Sequence, residues 1–340
     1  MQSRRAALRL LGQGLLLASA ACGSSPLWAA RRAKGMAALL VPLTGERSAL
    51  GRSIADAATL AETDVAALRI LDTGGTPAGA VRAAQGAVQA GARLLLGPLT
   101  AAETRAVAQA VGARVPVLAL TNDAGARGQG AFVLGITPGQ ATQALLGYAR
   151  SRGVRRVLVL DDAGAWSSGC AAAARAAEGD LGLSVQVLRA LPGVIQADAL
   201  FVPGGSAATL AAAQGARAAG VQLLATMQAL DYRPEAMAAL EGAWIASPDP
   251  ERFATFATAF AARNGGRPGA IAALGHDAAF IARALRESDA ATREGVLREA
   301  GFDCTTGPLR FRSDGSCARD FAILVAKAGQ YEKVAESRGA

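Results

Sequence analysis

The chain has 340 residues, about half of them apolar, and a formal charge of +8. That length is enough for two lobes, each with a core of its own. The basic residues are scattered, only 4 % of the chain is aromatic, and no basic stripe interleaves with aromatics, which argues against a nucleic-acid partner.

The first residues read as an export signal. Ser3-Arg4-Arg5-Ala6-Ala7-Leu8-Arg9 resembles a twin-arginine start, with Ala7 where that motif carries Phe. The apolar run Leu15 to Ala21 follows, then Cys22-Gly23-Ser24-Ser25-Pro26. A charged start, a short apolar core and small residues before the cut describe an exported protein. The run is too short for a spanning helix of about 20 residues. Ala20-Ala21-Cys22 resembles a lipoprotein cleavage site, with Ser19 where Leu is usual. We therefore expect residues 1–22 to be a signal, Cys22 to carry lipid, and the protein to be periplasmic and held to a membrane through that anchor only. Cleavage after Ala21 or Ala29 without lipid is the alternative.

Residues 37–43 form a first strand, and a helix over about 48–63 follows the turn at Thr44-Gly45-Glu46. A strand over 66–71 runs into Asp72-Thr73-Gly74-Gly75-Thr76-Pro77, where Thr76 suits an N-cap and Pro77 the first helical position. The stretch from Gly91 to Asp123 organises the rest. It reads as strand 93–96, the Gly97-Pro98 turn, a helix over 101–111 and strand 115–120. Such apolar runs, bounded by turn residues, suit strands covered on both faces, and their spacing implies a parallel pair with a helical crossover. Parallel sheets bind ligands beyond the carboxyl ends of their strands. Pro98-Leu99-Thr100 and Thr121-Asn122-Asp123 are thus expected on one crevice.

After strand 131–134 and a helix from Thr137-Pro138, the pattern restarts with strand 154–160, ending in Asp161-Asp162. A helix over 166–178, strands 184–188 and 199–202, a helix over 206–219 and strands 221–225 and 243–246 follow. Ten residues between 188 and 199 are too few for a crossover helix, so an element is missing there. Pro248-Asp249-Pro250 opens a helix to about 262, residues 264–269 form a linker, and the helix 270–285 returns to the first lobe. The tail gives a short helix (291–299), a hairpin and a strand over 321–327.

Chemistry-bearing motifs are sparse. There is one histidine, His276, read as hinge or core packing. No GxSxG elbow, SxxK or CxxC occurs, and Gly74-Gly75 is not followed by GK[ST]. Hydrolase chemistry and a zinc site lack their parts. We expect no enzyme, no cofactor and no metal. Cys304 and Cys317 flank a hairpin able to bring them together as a disulfide, with unpaired thiols the alternative. Cys170 reads as a buried helix thiol.

The order of elements, with VPLTG at 41–45, Leu50-Gly51, Asp72-Thr73, LLGPLTAAE at 95–103, VPVLALTND at 115–123, Gly275-His276-Asp277-Ala278, FRSDG at 311–315 and the closing AILVAKAGQYEKV, resembles the type I periplasmic binding proteins of the leucine/isoleucine/valine-binding branch. DTGGTPAGA, GPLTAAE and ALTND look closer to the penicillin-binding protein activator subgroup. The resemblance implies two α/β, Rossmann-like lobes with parallel sheets around a hinged cleft, made of residues 33–137 plus 268–301 and 138–267 plus 302–335. It implies a small polar, amino acid-like ligand delivered to an ABC permease or, for the activator subgroup, contact with a penicillin-binding protein. The family's hydroxyl clamp maps onto Thr100, Ala101, Thr121 and Asn122, with Asp162, Trp166 and Asp231 from the second lobe. Alanines at 101 and 102 stand where hydroxyls are usual, leaving backbone N–H groups at the helix start for an anion. The clamp is depleted.

Overall fold

The computed structural model describes residues 36–340; the expected signal and Cys22 lie outside the described residues. Five parallel strands make the first sheet: β1 (Ala37–Val41), β2 (Leu68–Asp72), β3 (Leu94–Leu96), β4 (Val117–Ala119) and β5 (Ala131–Val133), in the order β2-β1-β3-β4-β5. Alternate residues face opposite ways. Leu39 and Val41 point to a core with α1 (Ser48–Ala61) and α10 (Ala270–Glu287). Ala38 and Leu40 point to one with α2 (Pro77–Gln89) and α3 (Ala101–Val111). Small residues let these layers close up. A Cβ on Gly275 of α10 would lie 2.6 Å from the Ile54 carbonyl oxygen in α1.

The second sheet has seven strands in the order β15-β14-β10-β9-β8-β6-β7. β6 (Arg156–Leu160), β7 (Ser184–Leu188), β8 (Ala199–Val202), β9 (Gln222–Thr226) and β10 (Trp244–Ser247) are parallel; β14 (Phe321–Lys327) and β15 (Gln330–Ser337) are antiparallel. α4 (Pro138–Ser151), α5 (Ala165–Ala176) and the turn α6 (Glu178–Leu181) lie on one face, α7 (Ser206–Ala219) and α8 (Pro234–Ala239) on the other. As the spacing predicts, no helix joins β7 to β8. The connecting loop packs Leu191 and Ile195 into the α7 core instead, and on that face β7 shows exposed Ser184 and Gln186.

Two expectations need correction. The helix α9 (Pro250–Asn264) falls within the span assigned to the second lobe, yet Phe256 and Phe260 pack on Ala57 of α1 and Ala272 and Ala273 of α10. The chain has therefore rejoined the helices of the first sheet by Pro250, not at Pro268. β15 was not anticipated as a separate strand. It pairs with β14 across a two-residue turn, Ala328 (φ 49°) and Gly329 (φ 75°), and two left-handed residues suit the twist of a tight hairpin.

A third, antiparallel sheet joins the lobes: β11 (Phe302–Cys304), β12 (Gly307–Phe311) and β13 (Cys317–Arg319), in that order. It overturns the disulfide. Cys304 sits opposite Gly307 and Cys317 opposite Phe311, on either side of β12. Two strand spacings, about 10 Å, together with a four-residue offset along β12, hold them beyond the roughly 7 Å a disulfide spans. Both thiols are free and buried, and burial pushes both pKa values up.

The same sheet carries a buried polar chain. Asp277 of α10 is fully buried; its Oδ1 accepts from the Thr305 amide (2.7 Å), its Oδ2 from the Thr306 amide (3.0 Å) and hydroxyl (2.5 Å). The Thr306 hydroxyl oxygen in turn accepts from the Arg319 guanidinium, whose other arm reaches the Leu134 carbonyl oxygen at 2.6 Å. His276 contacts the Thr305 hydroxyl at 3.1 Å and packs edge-on against Phe256.

Removing the Asp277 carboxylate orphans three donors in a dry site. Asp277→Ala should cost about 3 kcal/mol, lowering the thermal midpoint by roughly 6–12 °C. Asp303→Ala, which breaks only the exposed pair with Arg252 (2.7 Å), should cost under about 1 kcal/mol. A chain starting at Met36 should titrate three free thiols when unfolded under non-reducing conditions; a smaller number would restore the disulfide.

Candidate functional site

The strand exits of both sheets build the candidate site. In the first lobe, Gly97 follows β3 at φ 86°, and a Cβ there would meet the Leu40 carbonyl oxygen at 2.4 Å, so only glycine fits. The Gly97 amide donates to the Leu118 carbonyl (2.8 Å) and the Leu120 amide to that of Pro98 (2.9 Å). These bonds set the 97–100 turn beside the 120–123 turn, as the sequence predicts.

Thr100 caps α3. Its hydroxyl donates to Glu103 Oε2 (2.7 Å) and accepts from the Glu103 amide (3.3 Å), while the Thr100 amide donates to the same carboxylate oxygen (3.1 Å). This reciprocal capping box satisfies two orphan donors of the helix start. It also spends the one hydroxyl proton Thr100 has. Ala101 and Ala102 add only backbone N–H groups. Thr121 is buried and its oxygen accepts from the Asp123 amide (3.2 Å); Asn122 is exposed. Asp123 is bound to Arg105 (2.8 Å) and the Gly125 amide (2.8 Å).

Asp72, after β2, is similarly occupied. The Thr44 hydroxyl (2.6 Å) and the Gly74, Leu43 and Thr44 amides pull its pKa from 3.8 down to about 2.

In the second lobe, Asp162 follows β6 with Oδ1 on the Gly164 amide (2.8 Å). It lies over Gly204, where a Cβ would come 2.3 Å from Oδ2, so the bare glycine makes room for the carboxylate. The Trp166 indole N–H donates to the hydroxyl of buried Thr226 (3.2 Å), which itself donates to the Pro203 carbonyl (3.1 Å). The indole is thereby fixed across the exits of β6, β8 and β9. Asp161, beside it, is buried and tied to Ser168 and Arg189. Asp231 stands apart from this group. Its carboxylate is clasped by Arg233 (2.6 Å), which together with the Arg233 amide and the Ser206 hydroxyl pulls its pKa down to about 2, and its amide donates to the Tyr331 hydroxyl (3.1 Å).

The structure thus gathers Thr100, Ala101, Thr121 and Asn122 on one rim and Asp162 and Trp166 on the other. Two contributors went unread. Glu103 had a legible signal, the T-x-x-E spacing of 100–103; Thr226, a strand-end threonine, had none. Two open pockets lie elsewhere, one of about 510 Å³ near Arg127, Thr137 and Arg312, the other of about 720 Å³ near Tyr148, Arg152 and Trp244. Neither contains a rim residue. Among the described residues no group of three or more His, Cys, Asp or Glu is placed to hold a metal, and no helix is long and apolar enough to cross a membrane.

The periplasmic binding protein family profile matches residues 37–330. The chain belongs to the type I periplasmic binding proteins. Among solved structures it is similar to a protein from Rhodospirillum rubrum assigned to branched-chain amino acid ABC transport (18 % identity, TM-score 0.76, 88 % of this chain and 100 % of that one). It is also similar to a leucine binding protein from Thermotoga maritima (20 %, 0.60, 89 % and 98 %). A third likeness is to full-length LpoA from Haemophilus influenzae (18 %, 0.71), where 88 % of this chain covers 59 % of that one. No curated protein matches. At these identities the likeness is one of fold.

Acid tests the Asp72 clasp. A carboxyl whose folded pKa is lowered adds stability above its unfolded value, and that stability is lost as pH falls through the folded one. Stability should therefore drop between about pH 4 and pH 2. Asp72→Asn should flatten part of that slope in acid denaturation followed by circular dichroism; an unchanged slope would mean the clasp contributes nothing.

Proposed function

We propose that the protein is a non-enzymatic, extracytoplasmic solute-binding protein, which holds a small polar ligand between its lobes and presents it to an ABC permease. Closure of two lobes around a ligand is a common transition in such folds. The observation that carries this reading is Trp166. Its ring is fixed by a buried threonine at the strand exits, where open α/β sheets take ligands. A fixed aromatic face with Asp162 beside it is a preorganised half-site, which lowers the ordering cost of binding. On this reading Thr121 and Asn122 complete the site from the first lobe. On this reading residues 1–22 direct export, and lipid on Cys22 tethers the protein to a membrane.

One observation favours a second reading, a lipoprotein that regulates a peptidoglycan synthase by direct contact. The Thr100 hydroxyl is spent inside its own capping box, so the expected amino-acid clamp is weaker still, and the fold is shared with LpoA.

Thermal unfolding of the chain from Gly23 onward, against amino acids, short peptides, muropeptides, polyols and amines, separates the two. A ligand at a hundred times its dissociation constant adds about 2.7 kcal/mol, moving the midpoint by roughly 5–10 °C. Such a shift with one solute class is the expected result. Silence across the panel, with saturable binding to a purified penicillin-binding protein, would replace the receptor by the regulator.

A further inference from the structure

We infer that Glu103 is a specificity-determining residue: it fills the anion position at the start of α3, so the cleft takes a non-anionic, hydrogen-bond-donating solute and rejects carboxylates there. The inference rests on the solute-binding reading above and narrows it.

The start of α3 lies at the exit of β3, where a ligand carboxylate would have to be held. An α-helix offers roughly half a positive charge there, with first-turn N–H groups to match. Glu103 brings a full negative charge to the same place. It is wholly buried, and both the Thr100 amide and hydroxyl are turned onto its Oε2. Donors that a ligand anion would use at this helix end are therefore already taken. Its other oxygen, Oε1, is buried without a hydrogen-bond partner. A carboxylate arriving beside Ala101 and Ala102 would find the Thr100 amide and hydroxyl already given to Glu103 Oε2. A hydroxyl or ammonium group meets the opposite situation.

The other rim repeats the arrangement. α5 begins at Gly164 and α7 at Gly205, neither with a side-chain cap. Yet the Gly164 amide is already held by Asp162, and Ser206, the first residue of α7, interacts with the Asp231 carboxylate. Asp162 thus stands beside the start of α5 much as Glu103 stands at the start of α3. What remains for a ligand is the Thr121 hydroxyl, the Asn122 amide, Asp162 Oδ2 and the Trp166 ring, a set that suits a polyol or amine.

The test compares wild type with Glu103→Ala and Glu103→Ser by thermal unfolding in acetate, leucine, erythritol and putrescine, against sodium chloride at equal ionic strength. Serine suits a first helical turn, so Glu103→Ser carries the test if the alanine variant folds poorly. Acetate and leucine should leave the wild-type midpoint unmoved and should stabilise the variants, a gain of at least about tenfold in apparent affinity. Wild type stabilised by either carboxylate would overturn the inference while leaving the solute-binding reading intact. Variants that stay indifferent to both carboxylates would overturn it as well, because the start of α3 would then be no anion position. A carboxylate gain in the variants, with wild type silent to erythritol and putrescine, would uphold the role of Glu103 and count against the solute-binding reading.

Discussion

The relation between the lobes depends on one buried polar chain, Asp277 to Thr306 to Arg319 to the Leu134 carbonyl. Asp277 and Arg319 are both fully buried, where an unpaired charge would be costly and a satisfied network rigid. Because its members come from α10, from the β11–β12 turn, from β13 and from the segment after β5, the chain fixes the third sheet to the first lobe. The Gln140 side chain at the start of α4 donates to the Cys317 carbonyl oxygen, fixing the same sheet to the second. The Val133 amide donates to Gly315 across the junction at 2.9 Å. Three short strands thus set where the two rims stand.

What the rims present follows from the sheets behind them. β1, β3, β4 and β5 are buried along their whole length, so their exits are anchored points from which a turn can aim a side chain. In the second lobe the uncovered outer face of β7 is answered locally, with Ser184 and Gln186 where a helix would otherwise demand apolar residues. The missing crossover therefore leaves no bare apolar sheet. The rim residues Asp162 and Trp166 stand on β6, one strand further in, and keep α5 behind them.

Much of this was legible because local signals and burial agreed. Apolar runs marked β1, β3 and β4, and Thr76 was read as a cap that the structure confirms at 3.1 Å to the Gly79 amide. β15 was harder: Gln330 to Ser337 alternates polar residues on an edge strand, with Tyr331, Ala335 and Ser337 only half-buried, so no apolar face announces it. The phenylalanines of α9, Phe253, Phe256 and Phe260, share a buried face, but their spacing does not say against which lobe. The hairpin signal around Cys304 and Cys317 was sound, but β12 passes between them. Thr100 and Trp166 lie at the strand exits where the sequence puts them; the T-x-x-E spacing of 100–103 announces the bond to Glu103, whereas the bond to Thr226 belongs to packing that no spacing rule reports.

Thr100 also shows why a motif alone misleads about binding. A helix start has orphan N–H groups that something must satisfy, and a ligand anion and a side-chain carboxylate are interchangeable solutions to that requirement. A threonine at an N-cap therefore reads equally as half of a ligand clamp and as half of a capping box. The residue three positions on decides between them. Here it is glutamate, turned back and sealed from water, and it meets two of the helix end's donors from within the chain. Stability and anion binding compete for the same donors, and at α3 the capping box has taken the Thr100 amide and hydroxyl and the Glu103 amide.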